Sequence, residues 1–238
     1  MCIKENNNPP NVVRLENEVK AITKKEKWDE IDIITGLINT FTNGFNRIGT
    51  FTKRANNEVE YIWLLLATRC FNSMMCSYRL MYSGYYSQAT TIIRSITEDI
   101  LICIACPNDK RIRNVVLSGK GELPSYSSMA RNNNVPNIYD MYKHQCKFAH
   151  TSSLSLGVLI DKGRVKTAPV YNELLFNYCV EAFIKTSVMM AEYLGRVIFY
   201  LDKSEAKSFN NDVANNLVKA TNWLKAIRER YGNETNQD

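Results

Sequence analysis

Apolar residues recur at three- and four-residue steps along most of this chain, which is the period of an α-helix. The segment from about Trp28 to Ile48 shows the pattern clearly. Its apolar positions form one stripe: Ile31, Ile34, Leu37, Ile38, Phe41 and Phe45. The same periodicity predicts further helices over about 12–25, 53–82, 136–150, 170–201 and 205–231.

One predicted helix, from Ser87 to Ile104, is apolar over most of its circumference. A helix of that kind is typical of the centre of a bundle, because every face must be covered by another element. Ser87 is a candidate N-cap, Gly84 ends the helix before it, and Pro107 stops the helix itself.

The remaining segments lack a long period. Glycine, proline and asparagine mark loops between Pro107 and Pro136, with short helical pieces possible near 111–117 and 125–131. Residues 157–169 resemble a hairpin around a turn. We therefore predict an all-α fold: one helical bundle of about six to seven helices over residues 11–231, with a short hairpin-like segment near 157–169. Disordered ends are expected at 1–10 and 232–238.

Charge and hydropathy restrict the partners. The chain carries 30 Lys and Arg against 24 Asp and Glu, a net charge of +6 that permits an anionic partner such as RNA. The cations are scattered and form no polybasic run, so a solvated surface with a modest excess of charge is the favoured interpretation. The apolar stretch Ile92–Cys106 is short and interrupted by charges, and residues 1–10 lack the apolar core of a secretory signal. We expect a cytoplasmic protein with no membrane partner.

Sequence motifs for cofactors and metals are missing. There is no nucleophile elbow, no phosphate-binding glycine loop, no H-E-x-x-H and no acidic cluster suited to Mg²⁺. Cys103 and Cys106 form a C-x-x-C, but a zinc site needs two more ligands and no second C-x-x-C exists. Buried reduced thiols are the simpler interpretation, and no cofactor or metal is expected.

Two places in the sequence can carry chemistry, and the first is the pair Arg94 and Glu98 on the central helix. Their spacing of four residues puts them on one helical face within reach of each other. The neighbouring residues are apolar, so both charges should be partly buried. Such a pair is either a structural ion pair or a retained functional one.

The second place is the predicted helix 136–150. Both histidines of the chain, His144 and His150, lie on its polar arc beside Lys143 and Lys147. Lysine neutralises phosphate charge, and histidine is the side chain that exchanges protons near neutral pH. The arc therefore suits a phosphodiester. The alternative is a solvated helix face whose histidines have no role.

The order of these features resembles a known group. The stretch GYYSQATTIIRSITEDILICI, with its R-x-x-x-E, precedes YKHQCKFAHTSS by some fifty residues, and two long helices close the chain. This is similar to prokaryotic helical proteins related to the HEPN (higher eukaryote and prokaryote nucleotide-binding) superfamily, over roughly 58–201. The resemblance implies a helical bundle, often dimeric, of the type found in RNA-cleaving toxins and antiviral (anti-phage) defence proteins.

Active members of that group cut RNA without metal, using the 2′-hydroxyl as nucleophile. They carry an Arg and, four to six residues later, a His on one helix. His150 matches the histidine and would be the general acid or base. No arginine stands at the matching positions, so Arg94 would supply the guanidinium from the neighbouring helix, oriented by Glu98, with Lys147 as a second phosphate contact.

Further substrate contacts would come from Lys143, His144 and Ser152. The leading hypothesis is thus a HEPN-like defence or toxin-type protein, a metal-independent ribonuclease acting on RNA. The alternative is a non-catalytic helical interaction module, either a homodimer or a subunit of a larger assembly with a partner protein. The missing arginine and the many Tyr, Met and Phe residues favour that alternative. A third possibility is a small-molecule sensor with a pocket around Arg94.

Overall fold

The described chain is almost wholly α-helical, which confirms the predicted all-α class. The structure, a computed structural model, describes residues 11–49, 57–149, 160–161, 164–165, 169–201 and 203–232. The helices in these ranges are α1 (Val12–Glu26), α2 (Trp28–Gly49), α3 (Glu58–Tyr82), α4 (Tyr86–Ala105), α5 (Lys110–Ser118), α6 (Tyr126–Asn132), α7 (Pro136–Ala149), α8 (Glu173–Leu201) and α9 (Lys203–Gly232).

Within segment 157–169, two-residue strands β1 (Ile160–Asp161) and β2 (Arg164–Val165) pair antiparallel. The expected disordered end at 1–10 lies outside the described residues. Of the second expected end, 232–238, only Gly232 is described, and it closes α9.

The predicted number of helices is wrong: the described residues form nine, not six to seven. The excess comes from α5 and α6, which correspond to the short helical pieces named near 111–117 and 125–131 but were not counted as helices of the bundle. Caps hold them in place. The Asp109 side chain accepts hydrogen bonds from the backbone N–H groups of Arg111 and Ile112, and Gly119 ends α5 in the left-handed conformation.

The turn between α3 and α4 differs in detail from its prediction. Ser87 is not an N-cap, because α4 begins at Tyr86 after Tyr85, whose side chain makes no cap hydrogen bond. The Tyr85 backbone N–H instead donates to Leu80 O at 2.8 Å, which closes the end of α3. Gly84 makes this tight reversal possible with φ of +85°.

Two helices form the centre of the molecule. α4 packs against α3, α6, α7 and α8, as its apolar circumference predicts, and α8 packs against α2, α3, α4 and α9. Their buried side chains join one hydrophobic cluster, which includes Ile93, Ile96, Ile100, Phe183, Ile184 and Leu194. A buried side chain of this size stabilises the fold by about 1.5–3 kcal/mol.

Among the described residues, α8 has the length and composition to cross a membrane. An 18-residue window within Glu173–Tyr200 has a mean hydropathy of 1.2, and 61% of that window is buried by the rest of the fold. A core helix meets the same criterion, so the feature is weak evidence for a membrane span.

The polar helix α9 approaches α2 closely where α2 has no side chain. A Cβ added at Gly44 would lie 2.5 Å from the ring of Phe209, and one at Gly36 would lie 2.9 Å from Asn216 Oδ1. The Asn216 amide also donates to Thr40 Oγ1 at 2.6 Å. These contacts fix the position of α9 over the α2–α8 layer.

Candidate functional site

A buried hydrogen-bond bridge fixes the rotation of α7. Gln145, which is 1% exposed, accepts from Thr97 Oγ1 of α4 at 2.9 Å and donates to Thr186 Oγ1 of α8 at 3.1 Å. At about 100° per residue, the helical pattern of the sequence also puts Gln145 on the apolar side of α7, with Ile138 and Met141. With Gln145 facing the core, the residues on either side of it face α4 and α6 in one direction and α8 in the other.

On the first side, three tyrosines form what we call the tyrosine cluster: Tyr126 of α6, with Tyr139 and Tyr142 of α7. The ring centroids of Tyr126 and Tyr142 are 5.0 Å apart, and those of Tyr139 and Tyr142 are stacked at 6.0 Å. Lys143 Nζ lies 5.1 Å from the Tyr139 ring, in cation–π distance. The cluster is half-buried, so ring surface remains open to solvent.

The predicted Arg94–Glu98 ion pair lies against this cluster. Arg94 Nε is 3.3 Å from Glu98 Oε1, and the two side chains are only 20% and 16% exposed. Burial, followed by the charge of Glu98 and a hydrogen bond to it, raises the pKa of Tyr126 to about 12. Burial also raises the pKa of Tyr142, where Arg94 acts in the opposite direction. Both hydroxyls therefore stay protonated at neutral pH.

Lys143 adds an exposed cation at the edge of the cluster. Its ammonium is 2.7 Å from Asp140 Oδ1, and this hydrogen bond and the carboxylate charge raise the pKa of Lys143. The side chain is half exposed. A charged group of this kind can contact a phosphate placed over the tyrosine rings.

On the other side of α7, a cleft of about 370 Å³ opens towards α8. We call it the α7–α8 cleft. It is lined by Asn137, Asp140, Met141, His144, Gln145, Tyr178, Glu181, Ala182 and Lys185. His144 Nδ1 is 3.0 Å from the Tyr178 hydroxyl, and the two rings are stacked with centroids 5.7 Å apart. Glu181 and Lys185 form an ion pair one turn apart on α8.

A further buried carboxyl group lies on α4 beside the first site. Asp99 is 1% exposed, and its Oδ2 is 3.0 Å from Arg69 Nε of α3. Its other oxygen, Oδ1, has no hydrogen-bond partner among the described residues. Burial raises the pKa of Asp99 to about 7, the Arg69 charge lowers it, and the Glu98 charge raises it.

The structure brings some of the predicted site residues together and separates others. Arg94, Glu98 and Lys143 share the tyrosine side of α7. His144 lies on the opposite side, because its two-residue step from Tyr142 turns it by about 200° around the helix. Lys147 is described only as a position in the last turn of α7, and the predicted residues His150 and Ser152 lie outside the described residues.

Sequence reasoning missed the partners that other helices supply. Tyr126 contributes to the first site from the short helix α6, and Tyr178, Glu181 and Lys185 build the far wall of the cleft. The sequence does contain a signal for Tyr178, Glu181 and Lys185. These three residues follow one another along α8 at steps of three and four, so they form a polar face on a largely apolar helix.

The C-x-x-C motif lies in the core. Cys103 and Cys106 are buried at the end of α4, and Cys106 Sγ donates to Cys103 O at 3.4 Å. Burial raises the pKa of both thiols, that of Cys106 to about 12. Within the described part of the chain, no three His, Cys, Asp or Glu side chains form a group that could hold a metal ion.

By its fold the protein is an all-α bundle, and it carries one polar surface on each side of α7. No match is found when the chain is compared with protein-family models, with curated proteins or with solved structures.

Proposed function

We propose that this protein is a HEPN-like defence or toxin-type protein that acts on RNA at the tyrosine side of α7. The observation that carries the proposal is the three-ring cluster with Lys143 at its edge and the Arg94–Glu98 pair against it. The order of the R-x-x-x-E and Y-K-H-Q-C-K-F-A-H motifs in the sequence supports the same class.

The chemistry of the cluster fits a single strand. Unpaired bases stack on aromatic rings for about 1–3 kcal/mol each, and nearby cations follow the phosphate backbone. Tyr139 offers ring surface, Lys143 contacts a phosphate, and Arg94 contributes its guanidinium, held by Glu98. The tyrosine hydroxyls, neutral at pH 7, hydrogen-bond the sugar or the base edge.

The proposed reaction is RNA cleavage without metal. The 2′-oxygen attacks the adjacent phosphorus, the bond from phosphorus to the 5′-oxygen breaks, and a 2′,3′-cyclic phosphate and a 5′-hydroxyl result. His150 takes the 2′-hydroxyl proton or returns a proton to the leaving 5′-oxygen. Arg94 and Lys147 stabilise the charge that develops on the phosphate, and Ser152 is a further contact to the substrate. His144 is not part of this site, because it lies on the other side of α7 against Tyr178.

RNA binding is measured by fluorescence anisotropy of a labelled single strand in EDTA. We expect Tyr139→Ala to weaken binding by roughly tenfold through lost stacking. Lys143→Ala should reduce the salt dependence of log K by about 0.7, the value for one phosphate contact on a single strand. Tyr61→Ala and Lys219→Ala are the matched controls, since both residues are exposed on other helices and Lys219 also has an acidic partner.

Cleavage is followed on the same RNA in EDTA, with a DNA of the same sequence beside it. The parent should give a cyclic-phosphate end and leave DNA intact, and His150→Ala should abolish cleavage while binding persists. Equal cleavage by the parent and His150→Ala would exclude this histidine. Binding without any cleavage would remove the enzymatic part of the proposal, and RNA affinity equal in all variants would remove the site.

A second candidate is a non-catalytic interaction module that forms a homodimer or joins a larger assembly. Large apolar side chains at the end of α8 favour it: Phe199 is 51% exposed and Tyr200 is 67% exposed, and the Tyr200 ring lies 5.2 Å from that of Trp63. Such residues are enriched at interfaces. Light scattering after size exclusion tests self-association. A monomer that Phe199→Ser leaves unchanged would exclude a homodimer through this surface.

A further inference from the structure

The α7–α8 cleft carries a different chemistry from the tyrosine cluster. We propose that it binds a planar guanidinium group, the end of an arginine side chain, between its aromatic wall and its carboxylates. The inference is independent of RNA cleavage, because it uses the opposite side of α7 and the residues of α8.

The aromatic wall consists of the stacked rings of His144 and Tyr178. Burial raises the pKa of Tyr178, so its hydroxyl stays neutral, and it lies 3.0 Å from His144 Nδ1 and 3.4 Å from His144 O. This contact fixes the histidine ring. A guanidinium is planar and weakly hydrated, and it stacks on such faces better than a compact ammonium does.

The cleft offers several oxygen atoms that can accept hydrogen bonds from a guanidinium. Each carboxylate already uses one oxygen in an ion pair: Asp140 Oδ1 pairs with Lys143, and Glu181 Oε1 pairs with Lys185. The second oxygen of each carboxylate has no partner among the described residues, and the Asn137 amide is equally unoccupied within that part of the chain. Arginine presents five N–H donors in a fixed plane, which matches several acceptors at once.

The same groups disfavour an anion. The lining carries two carboxylates, Asp140 and Glu181, and one lysine, Lys185, while the ammonium of Lys143 pairs with Asp140 from outside the lining. Two carboxylates repel a phosphate, whereas they attract a cation. Met141 and Ala182 cover the apolar part of the wall, where the methylene stem of arginine packs.

The test follows the Met141 methyl and the His144 ring by NMR while N-acetyl-arginine amide is added to the full chain. We expect saturable shifts of both signals, with affinity about tenfold weaker for N-acetyl-lysine amide, which lacks the planar fork. Free L-arginine is a second arm. Tighter binding of the capped compound indicates a side chain of a partner protein, and tighter binding of the free amino acid indicates a small-molecule ligand.

Glu181→Gln should weaken the arginine affinity by about tenfold, because a charge-assisted hydrogen bond is lost. Glu192→Gln is the matched control, since Glu192 pairs with Arg196 at the same spacing on α8 but lies outside the cleft. Circular dichroism shows whether each variant is folded. Equal shifts with arginine and lysine, stronger shifts with inorganic phosphate, or no shifts at millimolar concentrations would each overturn the proposal.

Discussion

Asp99 is held in surroundings that favour its uncharged form. Burial and the charge of neighbouring Glu98 raise its pKa to about 7, although the Arg69 side chain acts in the opposite direction. Because the folded protein then binds a proton that the unfolded chain releases, this residue makes the free energy of unfolding decrease as pH rises. The effect begins above the ordinary aspartate pKa of 3.8 and is complete near pH 7.

We therefore predict that Asp99→Asn changes the pH dependence of stability. Relative to the parent, the variant should gain up to about 4 kcal/mol in free energy of unfolding between about pH 4 and pH 7, since it has no carboxyl to ionise. Urea unfolding at several pH values measures this. Asp32→Asn, at an exposed carboxylate, is the control, and parallel curves for Asp99→Asn and the parent would contradict the prediction.

At the residue scale, sequence spacing predicts contacts within a helix but not those between helices. The four-residue step gave the Arg94–Glu98 pair, and the helical period put Gln145 on the apolar side of α7. Tyr126 and Tyr178 reach α7 from two other helices, and although the spacing of Tyr178 with Glu181 and Lys185 marks a polar face on α8, no local pattern shows that this face meets α7. The same limit applies to Arg94 and His144, which the sequence analysis singled out by residue type. Arg94, on α4, lies against one side of α7, whereas His144 lies on the other side of α7.

At the scale of elements, the turn at Gly84 is tightly constrained. Besides its φ of +85°, a Cβ there would lie 2.9 Å from Val170 O and 3.0 Å from Val19 Cγ1. The turn between α3 and α4 thus touches both α1 and the segment before α8. Any side chain at position 84 has to displace backbone atoms, and not merely a flexible side chain.

Gly84→Ala should lower the free energy of unfolding by roughly 2–4 kcal/mol, the sum of left-handed strain and steric clash. Gly119→Ala separates the two causes. Its φ is +65°, but a Cβ there meets nothing within 4 Å, so we expect a loss of about 1 kcal/mol from strain alone. Thermal or urea unfolding measures the stability of both variants. Equal losses of stability would show that the clash at position 84 is relieved at no cost.

The elements themselves were largely predictable, since long helices with an apolar stripe repeat their signal over many turns. α2, α7 and α9 begin and end within about two residues of their predicted bounds. The short helices α5 and α6 depend on caps and on packing under α3 and α4. The sequence marked both only as short helical pieces, because tertiary contacts also contribute to their formation and a local pattern does not contain those contacts.

At the scale of the whole molecule, one amide joins three helices. Gln145 links α4 and α8 through Thr97 and Thr186, and all three side chains are buried. Because α7 has one candidate surface on each side, this bridge sets the orientation of both. Removing one partner from a buried hydrogen-bond network lowers stability more than replacing the whole network with apolar side chains, because the remaining polar groups are left unsatisfied.

Gln145→Ala should therefore cost about 2–4 kcal/mol, from the cavity and the lost hydrogen bonds. The triple variant Gln145→Met with Thr97→Val and Thr186→Val keeps the volume and removes every polar group, so it should recover most of that loss. Urea unfolding measures both. A triple variant less stable than Gln145→Ala would show that the bridge contributes net stability and not only specificity.

The neutral carboxyl of Asp99 has a calorimetric consequence. Between about pH 5 and 6 the folded chain holds this proton, and unfolding releases it to the solvent. The heat absorbed in a thermal scan then contains the protonation enthalpy of the buffer. Scans in two buffers of different ionisation enthalpy should give different unfolding enthalpies. Dividing that difference by the difference between the two ionisation enthalpies gives the number of protons that one molecule releases on unfolding.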